Sequence, residues 1–184
     1  MSESPFDPTH AVTFDLAHGL VHLEDAPKRL LVPGGALAAL AASSSAEART
    51  AFARALGGPL GTRTLRRLGD PKGVSVDVVV DHLGGELALA GLGTLSIERW
   101  GRALILVIDQ SPLSDATELL GGVLAAALDA ATGREVSIVS LMHDATRSRF
   151  LIASAATAER ARGLLTSGTS WGDTLVRLHE GGAS

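Results

Sequence analysis

The chain has 184 residues, 46% of them hydrophobic and 20% charged, which suits one domain with its own core and excludes a wholly disordered chain. It contains no cysteine, so disulfides, thiol catalysis, cysteine zinc sites and iron–sulfur clusters are excluded. A net charge of −4 and an aromatic content of 3% argue against phosphate-driven nucleic-acid binding and against stacking platforms for single strands.

Residues 1–10, acidic and proline-containing, read as a flexible leader rather than a signal peptide, which makes a cytoplasmic location the expectation. Val12, Phe14 and Leu16 alternate, and a His18-Gly19 turn leads into Leu20–Leu23, so a β-hairpin is expected. Leu30-Leu31-Val32 is a third apolar piece, ended by Pro33-Gly34-Gly35. A helical run, ALAALAA, follows and is broken at Ser43-Ser44-Ser45, with Ser45 placed to cap the next helix and Glu47 in its first turn. Residues 46–69 read as helices 46–56 and 60–68, or as a kinked pair, because Gly57-Gly58-Pro59 interrupts them. Val76, Val79, Val80, Leu83, Leu87 and Ala90 form a helical stripe, leaving Asp77, Asp81 and Glu86 on the presumed solvent side.

Two strands are expected at 94–100 and 102–109, the second apolar on both faces as a central strand should be. Its clean apolar run, Ala103–Ile108, is far below the roughly 18 residues of a membrane span, as is every other apolar run in the chain. Asp115 and Glu118 are placed as N-cap and third-position acid of a helix whose stripe runs from Leu119 to Ala131 and which stops at Gly133. Residues 135–142 and 149–154 read as a hairpin, and 157–165 and 170–179 as two closing helices. The expected fold is therefore α+β: an antiparallel sheet with helices packed on one face and an N-terminal β-hairpin. Its parts are the leader 1–10, a domain over 11–155, and a C-terminal helical extension, 156–184, packed on the same domain.

No set of residues assembles a nucleophile, a base and an oxyanion site. Gly168-Thr169-Ser170-Trp171-Gly172 has the G-x-S-x-G form, but a nucleophile elbow needs a strand before the serine, and here a helix precedes it. Ser170 reads as a helix N-cap, so a serine hydrolase using Ser170 and His179 ranks low. His18 and His22 have helical ligand spacing but fall on a hairpin, and His143-Asp144 reads as a turn tip. Gly91-x-Gly93 precedes a strand, which removes a dinucleotide fingerprint. Arg63, Arg66 and Arg67 form a basic patch that reads as a solvated helix face. No catalytic residue, metal ligand or cofactor is assigned.

Two stretches carry a resemblance. The first is F-D-L-A-H-G-L-V-H-L-E-D-A-P-K-R-L-L-V, followed by L-A-A-L and by A-R-A-L-G-G-P-L-G-T-R-T-L-R-R-L-G. The second is Q-S-P-L-S-D, then E-L-L-G-G-V-L-A-A-A-L-D-A-A-T-G-R-E-V-S-I-V-S-L and S-R-F-L-I. Across most of residues 12–155 the chain resembles the vinyl-reductase-type, hydrocarbon-binding domain family, which includes sensory domains of aromatic-responsive transcription activators. The resemblance implies a ligand-binding-domain fold shared with transport-particle subunits and nitric-oxide-sensing haem domains. It also implies a homodimer and an apolar pocket between sheet and helices. Many members bind zinc through cysteines near the last hairpin; Leu141, Met142, His143 and Phe150 stand in that region here, so the metal-dependent version is excluded.

The expected function is a non-enzymatic module that binds an apolar small molecule or lipid and acts as a dimeric sensor or regulator, with Leu83, Leu87, Trp100, Leu120, Leu124, Met142 and Phe150 lining the pocket. With so few aromatics, an aliphatic ligand is favoured over a stacked one. The alternative is a protein-interaction adaptor of the same fold without a ligand, docking through terminal-helix residues such as Trp171 and Leu175.

Overall fold

A computed structural model describes residues 11–23, 26–69 and 73–180; the leader 1–10 lies outside the described residues. The chain opens with β1 (Val12–Asp15), β2 (Leu20–Leu23) and β3 (Ala26–Arg29), which form an antiparallel sheet in that order. The expected hairpin is β1–β2, with Phe14 opposite Val21. It turns at Gly19, whose φ of 66° is one that L side chains rarely adopt, and the Asp15 carboxylate accepts the His18 N–H at 3.1 Å. The third strand pairs through Ala26–Arg29, so Leu30-Leu31-Val32 lies beyond the sheet with its side chains exposed.

Three helices follow: α1 (Gly34–Ser43), α2 (Ala46–Leu68) and α3 (Val76–Leu89). Then come β4 (Thr94–Trp100), β5 (Ala103–Asp109), α4 (Thr117–Thr132), β6 (Ser137–His143), β7 (Arg147–Ala153), α5 (Ala155–Thr166) and α6 (Trp171–Glu180). The second sheet is antiparallel in the order β4-β5-β7-β6. The α+β class with an antiparallel sheet is the one expected, but the helices are not confined to one face as expected: α3 and α4 lie on one side of the sheet. The C-terminal helices α5 and α6 cover the other face.

Period-two alternation in β5 explains this layering. Leu106 and Ile108 face α3 and α4, where they meet Leu83, Leu120, Leu124 and Phe150. Ile105 and Val107 face α5 and α6, where they meet Val139, Leu151, Ala158, Ala161 and Leu175. A strand buried on both sides needs no polar alternation, hence ALILVI.

Helix α2 runs unbroken through Gly57-Gly58-Pro59, contrary to the expected split. An interior proline loses its N–H bond and crowds the carbonyl four residues earlier, a cost of about 3 kcal/mol, but its fixed φ is helical, so one interruption can be carried where packing holds both halves. That packing comes from α4. A Cβ on Gly57 would collide with the Val123 carbonyl, and one on Gly61 with the Ala127 carbonyl. A Cβ on Gly122 would come within 2.9 Å of the Ala53 methyl. The two backbones therefore approach through a stripe of small residues, and the glycines read as helix breakers are contact residues.

Helix α4 starts later than expected. Its N-cap is Ala116 without a side-chain bond, so Asp115 is not the cap. Leu113 is buried, and the chain turns around it: Ser111 Oγ accepts the Leu113 N–H at 3.2 Å and Leu113 C=O accepts the Ala116 N–H at 2.9 Å. Anchoring Leu113 in the core moves the helix start one residue along. Ser45 and Ser75 cap α2 and α3 through their hydroxyls, as Ser154 does α5.

The small-residue contact gives a paired test. Gly61→Ala should lose a net ~2 kcal/mol or more, because overpacking against a backbone carbonyl outweighs the helix-propensity gain of about 1 kcal/mol. That corresponds to a fall in Tm of roughly 4–8 °C. Gly58→Ala, whose Cβ would meet nothing within 4 Å, should instead raise stability by about 0.5–1 kcal/mol. Chemical denaturation of the two variants checks both signs.

Candidate functional site

Five of the residues expected to line a pocket converge. Leu83 and Leu87 from α3, Leu120 and Leu124 from α4, and Phe150 from β7 lie in one cluster between the sheet and its helices, each at most 1% exposed. They fill the core of that layer. Trp100 and Met142 do not join them. Trp100 lies on the α6 side of the sheet, edge-on to Trp171 with ring centroids 5.0 Å apart. Met142 stands opposite Arg149 and its sulfur is 3.4 Å from Arg149 Nη1. The reason is strand parity. Ile97 faces the α3 layer, so Glu98 and Trp100 face away, and the irregularity between Ser140 and Met142 resets the alternation in β6.

An apolar recess lies elsewhere, at the corner between α1 and α2. It measures about 220 Å³ and is lined by Leu37, Leu40, Ala41, Phe52 and Leu119, with Ser44 and Arg49 at its rim. The serine run that separates the two helices creates it. Ser45 caps α2 by accepting the Ala48 N–H at 3.1 Å, and Arg49 bonds the Ser44 carbonyl, which fixes the end of α1 against α2. Sequence reasoning missed this site, because ALAALAA was taken only as a helix. The available signal was two short apolar stripes, Leu37-Leu40-Ala41 and Ala48-Phe52, with no strand between them. The other clefts are more polar. One of about 320 Å³ between α2 and α4 holds Arg49, Arg54, Glu118 and Asp129.

The charged residues differ from expectation at one place. Glu86 is buried rather than solvated, 1% exposed, and is held by Arg63 and by Arg67 at 2.9 Å from its two oxygens. Two members of the expected solvated patch thus form a buried cluster between α2 and α3. A carboxylate this deep is tolerated because both oxygens are paired.

Around the tryptophans, Arg149 donates to both Glu98 oxygens, at 3.1 and 3.2 Å, and lies 5.7 Å from the Trp171 ring centroid. Trp100 Nε1 donates to the same carboxylate at 3.1 Å. The Arg149 hydrogen bonds hold the Glu98 carboxyl below its ordinary value, against the opposing effect of burial. Asp144 is also held low, by the Thr146 amide that it accepts, which is the turn chemistry expected of the hairpin tip. Asp15 is lowered by its hydrogen bond to His18 on the surface hairpin.

Ser170 is a cap. Its Oγ accepts the Asp173 N–H at 3.1 Å and donates to the Asp173 carboxylate at 2.7 Å. It follows a turn out of α5, not a strand. His179 is occupied as well: Nε2 accepts the Arg102 N–H at 3.0 Å while Nδ1 contacts the Leu175 carbonyl at 2.7 Å. Neither nitrogen is free to serve Ser170 as a base. Among the described residues no group of three or more His, Asp or Glu could hold a metal ion, and no helix is long and apolar enough to cross a membrane.

No protein-family model matches the chain, and no curated protein matches it. Among solved structures it is similar to the phenol-responsive sensory domain of the transcription activator PoxR, solved with phenol, at a TM-score of 0.55 and 15% identity over 77% of this chain and 84% of that one. At that identity the likeness is one of fold.

Two measurements check these assignments. Ser170→Ala should lower stability by about 1 kcal/mol, the usual worth of an N-cap, and leave any background ester hydrolysis unchanged. Acid should act on Glu98. Its folded-state value is depressed below the ordinary 4.5, so its stabilising contribution is complete above pH 4.5 and is lost as pH falls through the lowered value. Both tryptophans touch this cluster, so their emission should change in that acid range, and Glu98→Gln should remove the step.

Proposed function

We propose that this chain is a non-enzymatic sensory or regulatory module that takes an apolar small molecule or lipid and works as a cytoplasmic homodimer. The observation that carries the reading is an apolar recess on a fold shared with a phenol-sensing domain. The resemblance of the two sequence stretches to the hydrocarbon-binding family, with its transport-particle relatives, supports it further.

The ligand is assigned to the α1–α2 recess rather than to the central layer, where Leu83, Leu87, Leu120, Leu124 and Phe150 pack against one another. An apolar cavity of about 150 Å³ is enough to bind benzene. The recess is larger than that, and its walls are mainly aliphatic. Burial of apolar ligand surface there supplies affinity, and the Ser44 and Arg49 rim gives the few polar contacts that orient a ligand.

Dimerisation is supported by apolar surface. Leu16, Leu30 and Leu31 are 87, 82 and 70% exposed, and Phe14, Leu40 and Phe52 are also open. Most of the exposed large apolar side chains fall within residues 14–52, and such exposure supports an association surface in that part of the chain. The same residues favour the second reading, a protein-interaction adaptor without a ligand. Non-enzymatic action is supported by the commitment of Ser170 and His179 to structural bonds.

The test combines a ligand panel with mass. Medium-chain aliphatic acids, alkanols and phenol are screened by thermal shift and native mass spectrometry. A ligand at a hundred times its Kd adds about 2.7 kcal/mol, or roughly 5–10 °C in Tm. Phe52→Asp should abolish that shift. Light scattering should give a dimer that Leu31→Asp dissociates. No shift with any panel member would leave the adaptor, and a monomer in addition would remove both.

A further inference from the structure

The two open edges of the four-stranded sheet are protected differently. Natural sheets blunt their edges with charges, prolines or bulges. The β4 edge carries Glu98 and Arg99, paired with Arg149 and Asp77. The β6 edge, Ser137-Ile138-Val139-Ser140-Leu141-Met142, carries no charge. It is regular from Ser137 to Ser140 and irregular only after that.

This edge is sunk in a groove of about 630 Å³. One wall is α4, contributing Thr117, Gly121, Ala125 and Glu118, whose carboxylate lies 3.6 Å from Arg49 of α2, and the other is α5, contributing Arg162, Leu165 and Thr166. The parity of the strand is fixed by two bonds. The Val136 N–H donates to Asp129 of α4 at 2.9 Å, and the Ile138 C=O accepts from Arg162 Nη2 of α5 at 3.1 Å. In an antiparallel ladder a residue's N–H and C=O point the same way, so those of Ile138 and Ser140 face the groove and not β7. The Ile138 N–H and both Ser140 groups are directed at the space a further strand would occupy.

Arg162 is exposed, and among the described residues no carboxylate pairs with it. Its guanidinium has five donors, of which the Ile138 bond uses one, and its charge is unspent. We propose that the β6 edge binds an extended peptide segment of about four to six residues, added as a fifth strand, with an acidic side chain directed at Arg162. Main-chain bonds to Ile138 and Ser140 supply register, and the Arg162 contact supplies choice of sequence. A second copy of this chain is a poorer occupant. Its own β6 lies between its own α4 and α5, so two such edges could reach the strand spacing of about 4.8 Å only by bringing four helix walls together. A free segment has no walls.

The probe is the acetylated, amidated hexapeptide Thr-Val-Asp-Val-Thr-Val, titrated into the full ¹⁵N-labelled chain. Amides 137–140 should shift most. Methylating alternate peptide nitrogens gives two analogues. One should lose at least tenfold in affinity and the other should bind as before, since only one set faces β6. Replacing the peptide's Asp by Lys should weaken binding about tenfold, and Arg162→Glu should restore it. Unmoved 137–140 amides at millimolar peptide, equal binding of both methylated analogues, or indifference to the charge swap overturns the proposal. So does a dependence of those amide shifts on protein concentration alone, which would identify a second copy as the occupant.

Discussion

The close approach of α2 to α4 is the constraint on which the rest of the arrangement depends. Helix α4 lies on the sheet through Leu120 and Leu124, so whatever docks on its back is held at a fixed height above the strands. Ala53, Gly57 and Gly61 let α2 dock at backbone contact against Val123 and Ala127. Larger side chains would lift α2 and, with it, everything α2 carries. That includes the Arg63 and Arg67 pair that reaches Glu86 on α3, and the Ala48–Phe52 wall of the recess.

Burying Glu86 between two arginines is a costly way to join α3 to α2. Desolvating a carboxylate is offset only by well-placed partners, and a close apolar substitute is often as stable. What such a cluster does give is register. A leucine pair tolerates a slide along the helix, whereas a carboxylate with both oxygens engaged does not. On its other side α3 meets β4 through the exposed Arg99–Asp77 pair at 2.6 Å.

Sheet and helices form a well-packed platform, and the candidate binding features lie at its margins. The recess sits at the turn between α1 and α2, where a serine run interrupts helical packing. The groove proposed for a peptide sits at the β6 edge of the sheet, between α4 and α5. In both places regular packing ends and leaves surface open to another molecule. The filled central layer has no such freedom: Leu83, Leu120, Leu124 and Phe150 are essentially without exposure. This separates the filled platform from the margins to which the proposed ligand and peptide are assigned.

Local chemistry was legible in the sequence. Ser45 and Ser170 announced their caps, Gly133 its helix stop in the left-handed region, and the uninterrupted Ala103–Ile108 run its central strand. These depend on neighbours within a few residues, so the residue types suffice. Composition likewise excluded cysteine chemistry outright. The sequence could not say which face each strand residue takes, because parity depends on pairing and on an irregularity in β6; hence Trp100 and Met142 were grouped with residues on the opposite side of the sheet. Nor could it tell a breaking glycine from a contact glycine. Gly57 is a contact residue because a carbonyl of α4, some 66 positions further along the chain, occupies the space where its Cβ would be. Glu86 was assigned to solvent because its helix offered a polar face, and only the arrival of two arginines from α2 made burial affordable. Sequence determined the elements and their ends through short-range bonds. Tertiary structure decided burial, pairing and the position of open surface, since each of these depends on what another segment brings to the same place.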